Sequence, residues 1–197
     1  MTHIAIFASG TGTNARKIIE YFESSSEVKV ALVVSNRKNA LVLDAAAERG
    51  IPTILLERKS FYHSETILTE LQTYSISLII LAGFLWLIPP YLVRAFTDRI
   101  INIHPALLPK FGGKGMYGHH VHEAVLDAGE KESGITIHLV DEIYDNGSTL
   151  FQAKCPVEVN DTPETLAKRV LKLEHYYFPR IIDEYIRETL PSRLPKT

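Results

Sequence analysis

The sequence predicts an α/β fold: a single domain on a doubly wound, mostly parallel sheet with helices on both faces. Three observations predict it. Near-continuous apolar runs of strand length alternate with helix-length segments through the first hundred residues, which describes parallel strands covered on both sides. From Gly134 the pattern changes to two alternating segments joined by a short polar link. Finally, 197 residues at 46% hydrophobic composition suffice for one substantial core, and the length favours one domain over two.

Residues 3–8 (HIAIFA) make the first strand, stopped by the turn-forming SGTGTN, after which Ala15, Ile18, Ile19 and Phe22 recur at helical spacing. VKVALVVS (28–35) is the second strand, 40–49 a helix ended by Gly50, and TILL (53–56) the third strand. A helix over 62–74 leads into LIILAG (78–83). Proline is tolerated in a first helical turn, so a helix follows Pro89 and Pro90 to Thr97, and RIINIH (99–104) is the fifth strand. GITIHLVD (134–141) and TLFQAKCPV (149–157) pair as an antiparallel ribbon. A last helix starts at Pro163, with Thr162 as N-cap and Leu166, Val170, Leu173 and Tyr177 on its buried face. The domain thus spans 1–190, and the tail 191–197 (PSRLPKT) should be flexible.

Twenty-one Lys and Arg against 23 Asp and Glu give a net charge of −2, without the basic excess that draws a chain to nucleic acid or anionic membrane. The run 4–8 stops at Ser-Gly without a basic flank, and 78–82 is far short of a bilayer span, so no secretion signal or membrane anchor is expected. The single cysteine, Cys155, cannot form an internal disulfide and reads as a buried thiol in a strand, which points to the reducing cytoplasm.

Chemistry can reside in several places. Ser9 to Asn14 puts glycines where backbone comes close to a ligand and leaves free amides at a helix start, a setting for an anion. The spacing is neither the dinucleotide fingerprint nor the P-loop, and a plain tight turn with an Asn cap reads equally well. Asn102 and His104 sit at the carboxyl end of the fifth strand, where open α/β sheets bind ligands, and alternation points both to one side. An amide beside an imidazole can stabilise an oxyanion and then move a proton. Pro105 and Pro109 stiffen the loop that follows. In the acidic loop 141–147, Asp145 is the carboxylate best placed to reach His104, raise its pKa and fix its orientation. His119, His120 and His122 lack a matching ligand spacing and read as a polar helix start rather than a metal site. Trp86 and Tyr91 suit either a wall for a flat ring or the core, and Glu174-His175 either an exposed pair or a carboxylate reaching ribose hydroxyls.

Together SGTGTN, LAGFLWLIP, INIHPALLPK, GITIHLVDEIYDNG and RVLKLEHYYFP resemble the phosphoribosylglycinamide formyltransferase family, over nearly the whole chain. The resemblance implies a mostly parallel, seven-stranded sheet with a nucleotide-binding half (about 1–100) and a folate-binding, catalytic half (about 101–190). It implies transfer of the formyl group of 10-formyltetrahydrofolate, a co-substrate, to the amino group of glycinamide ribonucleotide in de novo purine biosynthesis. No metal is implied, and the partners are these two small molecules, in a monomer or homodimer. Asn102, protonated His104 and Asp145 would be the catalytic trio. Gly12, Thr13 and Asn14 match the phosphate-contacting turn, and Glu174 the carboxylate that grips the ribose. Leu85, Trp86, Leu87 and Ile88, with Asn102 and the run Asp141, Glu142, Ile143, Tyr144, Asp145, match the folate-binding segments. Three departures stand out: Trp86 and Ser64 occupy positions where many relatives carry Arg, Phe111 to Gly118 is several residues longer, and Leu139 replaces an aromatic or Val.

Related formyl-handling enzymes share the Asn-His-Asp arrangement. Methionyl-tRNA formyltransferases carry a further carboxyl-terminal domain, for which this chain has no room, and 10-formyltetrahydrofolate hydrolases a domain in front of a first strand that here begins at His3. A nucleotide-binding module without chemistry is the non-enzymatic alternative. A dehydrogenase fits poorly, because the second strand continues as Ser35-Asn36-Arg37 rather than ending on an acid.

Overall fold

The computed structural model describes residues 1–143 and 145–192. Seven strands form one sheet in the order β3-β2-β1-β4-β5-β6-β7. They are β1 (Thr2–Phe7), β2 (Val28–Ser35), β3 (Thr53–Leu55), β4 (Ile76–Leu81), β5 (Ile100–His104), β6 (Glu132–Leu139) and β7 (Thr149–Pro156). The first five run parallel, while β6 and β7 are antiparallel to their neighbours. The expected doubly wound sheet with an antiparallel terminal ribbon is therefore present.

Period-two alternation sorts the strand side chains between two cores. Ile4 and Ile6 of β1, with Leu78 and Ile80 of β4, face α1 (Thr13–Phe22), α2 (Leu41–Ala47), α6 (His119–Asp127) and α7 (Pro163–Glu188). Ala5 and Phe7, with Ile79 and Leu81, face α3 (Arg58–His63), α4 (Thr66–Thr73) and α5 (Pro90–Ala95). One extra residue in β2, Ala31, breaks the register against β1, since Ile4 pairs with Val30 and Ala5 with Leu32.

Two expectations are corrected. The stretch 62–74 is not one helix, because α3 ends at His63 and α4 begins at Thr66. Ser64 closes α3 in an extended conformation (φ −138°, ψ 156°), and its hydroxyl donates back to the Ser60 carbonyl at 2.9 Å. Side-chain competition of this kind ends helices that apolar spacing alone would continue. The buried stripe of α7 carries Leu166 and Val170 as expected, then passes through Glu174, Phe178 and Ile182, leaving Leu173 and Tyr177 at its margin. Thr162 caps α7, its hydroxyl accepting from the Thr165 amide. Of the tail, Leu190–Ser192 form a short 3-10 turn and the rest lies outside the described residues.

Candidate active site

The central strand β1 leads outward to β2 and β3, after which the chain crosses back to β4, so the winding reverses between β1 and β4. A crevice opens at such a reversal outside the carboxyl ends of the strands. Here the loops are tied across it: the Ser9 amide donates to the Gly83 carbonyl at 3.0 Å, and the Ser9 hydroxyl accepts from the Leu85 amide at 2.9 Å. The resulting cavity, about 630 Å3, has two polar ends and an apolar wall.

At the sheet end, Asn102 of β5 lies directly opposite His138 of β6. The His138 Nδ1–H donates to the carbonyl of Leu139 at 2.8 Å, which leaves Nε2 to accept from the Asn102 amide at 3.0 Å. That bond fixes which end of Asn102 is the donor. Two residues along β5, His104 is only 4% exposed. Its Nε2–H donates to the Phe111 carbonyl at 2.7 Å, while Nδ1 faces Asp145 Oδ2 at 3.7 Å. Asp145 Oδ2 accepts from the Gly113 amide at 2.8 Å, and Oδ1 stands 3.6 Å from His138 Nε2. Thr136, between these pairs on β6, holds the loop after β5 by donating to the Ala106 carbonyl at 2.7 Å and accepting from the Leu108 amide at 3.0 Å.

Burial of His104 holds its pKa below the usual histidine value, although the Asp145 charge and the Phe111 carbonyl pull the other way. Asp145 does raise this imidazole's pKa as expected, but the larger effect of burial sets the net direction downward. At 3.7 Å the carboxylate compensates only part of the lost hydration. Asp145 itself is partly desolvated, which opposes ionisation, yet His138, the Gly113 amide and His104 together keep its carboxyl below the usual range.

At the helical end, Asn14 of α1 donates to Glu174 of α7 at 2.5 Å. Burial raises the Glu174 carboxyl, and the Asn14 amide offsets part of that rise. Asn14 does not cap α1. The cap is Gly12, in the left-handed region at φ 71°, with no side-chain hydrogen bond, and a Cβ there would stand 2.6 Å from Val42 Cβ. Gly12 and Thr13 therefore bring the backbone start of α1 toward Asn14 without lining the cavity themselves.

Leu85, Trp86, Leu87 and Ile88 form the apolar wall, faced by Asp141 and Ile143. Glu142 does not line it, since its carboxylate reaches Arg94 at 3.1 Å; Tyr144 lies outside the described residues. Trp86 packs among Phe61, Tyr62 and Phe84, whereas Tyr91 is structural, its hydroxyl donating to the Phe61 carbonyl at 2.8 Å. His119 and His120 open α6 and meet Glu123, while His122 is buried. Among the described residues no group of three or more His, Cys, Asp or Glu is placed to hold a metal ion, and no helix is long and apolar enough to cross a membrane.

The residue that sequence reasoning passed over is His138. Its signal was present, because His138 alternates with Thr136 on a strand expected to form an antiparallel ribbon with the next, but the pairing of that strand with β5, in a register opposite Asn102, is a tertiary fact.

Residues 2–182 match the formyl transferase family. The chain is 43% identical to the chloroplastic phosphoribosylglycinamide formyltransferase of Arabidopsis thaliana, covering 96% of this chain and 67% of that one. Against the Bacillus subtilis phosphoribosylglycinamide formyltransferase it is 36% identical, covering 94% and 95%. The crystal structure of phosphoribosylglycinamide formyltransferase from Anaplasma phagocytophilum superposes with a TM-score of 0.87 at 34% identity, covering 94% of this chain and 87% of that one. The chain spans about two thirds of the plant relatives' length, 67% and 62%.

Proposed function

Because the chain belongs to the formyl transferase family, we propose that it moves the formyl group of 10-formyltetrahydrofolate onto the amino group of glycinamide ribonucleotide, in purine biosynthesis. The observation that carries this reading is the convergence of Asn102, His104, His138 and Asp145 on one cavity, opposite the Asn14–Glu174 pair. The substrate amine attacks the formyl carbon, forming a C–N bond and placing negative charge on the formyl oxygen. Collapse of that intermediate breaks the bond to folate N10, which leaves with the proton the amine gives up. The products are formylglycinamide ribonucleotide and tetrahydrofolate, with no redox change.

Asn102 Nδ2 supplies one donor to the oxyanion, and its orientation follows from the bond to His138. His104 supplies the second. With its pKa held down it is neutral near pH 7, yet the neutral ring carries the Nε2 proton now given to Phe111, so it can donate without first being charged. To serve the oxyanion, that N–H must leave the Phe111 carbonyl, a rearrangement within a loop containing Gly112 and Gly113. Asp145, ionised and 3.7 Å from Nδ1, stabilises the imidazolium formed if His104 accepts the amine's proton before passing it to N10. Gly12, Thr13 and Asn14 present the start of α1 to the phosphate, Glu174 takes the ribose hydroxyls, and the 85–88 segment with Asp141, Ile143 and Asp145 holds the pterin. A reducing compartment, the cytoplasm, suits the free buried thiol of Cys155, and a monomer or homodimer suffices because every residue invoked lies in one chain.

An ultraviolet assay of folate deformylation, with and without glycinamide ribonucleotide, tests the reading. Transfer requires strict dependence on the ribonucleotide. Equal formyl loss in its absence would identify a hydrolase instead.

A further inference from the structure

The polar network around β5 extends beyond the cavity. The pairing registers place His104 opposite Thr136 of β6, and Thr136 opposite Gln152 of β7, so these three residues form one row across the antiparallel edge of the sheet. Neither Thr136 nor Gln152 lines the cavity. Gln152 nonetheless reaches back to the loop after β5, its Nε2 donating to the Leu108 carbonyl at 2.9 Å and to the Thr136 hydroxyl at 2.8 Å. Together with the bonds from Thr136 to the Ala106 carbonyl and from the Leu108 amide, the hydroxyl's one donor and two acceptor sites are all used. Leu108 is thus held at both of its backbone polar groups by side chains of the sheet.

What Leu108 touches is the frame of the catalytic cluster. Only Pro109 and Lys110 separate it from Phe111, whose carbonyl accepts the His104 N–H. A Cβ on Gly112 would stand 2.6 Å from Leu108 Cδ2 and 3.3 Å from Asp145 Cβ, so the Leu108 side chain backs the turn against which Asp145 rests. The next residue, Gly113, gives its amide to Asp145. A glutamine at an exposed strand position can leave its amide to water, whereas here both N–H groups are spent on the loop and on the loop's anchor.

We infer that Gln152 is a positioning residue for formyl transfer: with Thr136 it fixes Leu108, and through Leu108 it sets the Phe111 carbonyl and the Gly113 amide that hold His104 and Asp145. This rests on the formyl-transfer reading and extends its functional residues to β7, a strand that contributes nothing to the cavity lining. The anchor also confines motion. Freeing the His104 N–H from Phe111 requires the loop to shift, and with 106–108 held, that shift falls on Gly112 and Gly113.

Gln152→Leu keeps the approximate size and removes both N–H groups. It should lower kcat about tenfold, the scale of one or two hydrogen bonds lost from a positioning network, with KM for either substrate little changed. Gln152→Lys, whose ammonium can donate to the same oxygens, should recover most of the loss, whereas Gln152→Glu, which has the shape and no donor, should not. Added to Thr136→Val, Gln152→Leu should cost less than the sum of the two, because both act through Leu108. A merely structural defect would lower Tm without reaching His104, so His104 is followed directly, by NMR titration of its ring protons without substrates. The titratable groups around it, Asp145, His138 and His122, stay in place. Burial holds the His104 pKa down, and a loosened loop admits water, so in Gln152→Leu that pKa should rise toward the ordinary histidine value. The acidic limb of kcat should move to higher pH with it, since the neutral ring is the working form. Wild-type kcat in Gln152→Leu, an unshifted His104 titration, or full activity in Gln152→Glu would each overturn the inference. If the wild type itself transfers no formyl group, the transfer reading fails, and the His104 titration still decides whether Gln152 positions the loop.

Discussion

The two polar ends of the cavity are built on opposite principles. Asn14 and Glu174 meet directly at 2.5 Å, join α1 to α7, and sit where burial keeps the acid's pKa raised. His104, Asp145 and His138 approach one another at 3.6 and 3.7 Å, beyond hydrogen-bond range, and each is fastened instead to a backbone group of Phe111, Gly113 or Leu139. A short direct contact suits holding a ligand in one pose. Titratable groups poised slightly apart suit moving a proton, because a small shift brings donor and acceptor into contact without dismantling the scaffold.

The largest effect that would break this contrast comes from His104. His104→Ala should lower kcat by roughly 10²- to 10⁴-fold with KM for both substrates little changed. A defect confined to KM would move His104 from proton chemistry to binding. Asn102→Ala should lower kcat by about 10²- to 10³-fold, the loss of one oxyanion donor. His138→Phe removes the acceptor that orients Asn102 and should lower kcat about tenfold, for a loss of ~1.4 kcal/mol. In a double-mutant cycle it should add little to Asn102→Ala; full additivity would show that His138 acts by another route.

Two smaller effects sharpen the helical side. Gly12→Ala places a Cβ against Val42 at a positive φ and should destabilise the fold by about 1–3 kcal/mol, read as a lower Tm. An unchanged Tm would mean that the start of α1 is free to move. Glu174 is the subtlest case. Its folded pKa is raised, so its protonated form contributes stability that is complete below the ordinary glutamate value and lost as pH rises through the folded value. Glu174→Gln keeps the shape and removes the titration, so its Tm should gain on the wild type as pH rises through that window. Parallel Tm curves would contradict the raised pKa.

What could be read along the chain was whatever depends on neighbours in sequence. The apolar runs at 28–35 and 78–83, the cap at Thr162 and the period of Ala15, Ile18, Ile19 and Phe22 each express a local repeat or a local hydrogen bond, and all reappear in the fold. The same-side placement of Asn102 and His104 follows from strand pleating alone, and both line the cavity. Even the broken helix at Ser64 is a local effect, legible to a reading that weighs hydroxyls at 60, 64 and 66 against apolar spacing. Other features needed the third dimension. His138 orients Asn102 only because β5 and β6 pair in one register, His104 is neutral because surrounding elements strip its water, and Arg58 reaches Trp86 across a loop and two elements. Local periodicity is a property of the chain, whereas pKa, donor orientation and stacking depend on which distant atoms fill the space around a side chain, and that is settled only when the sheet and its helices close together.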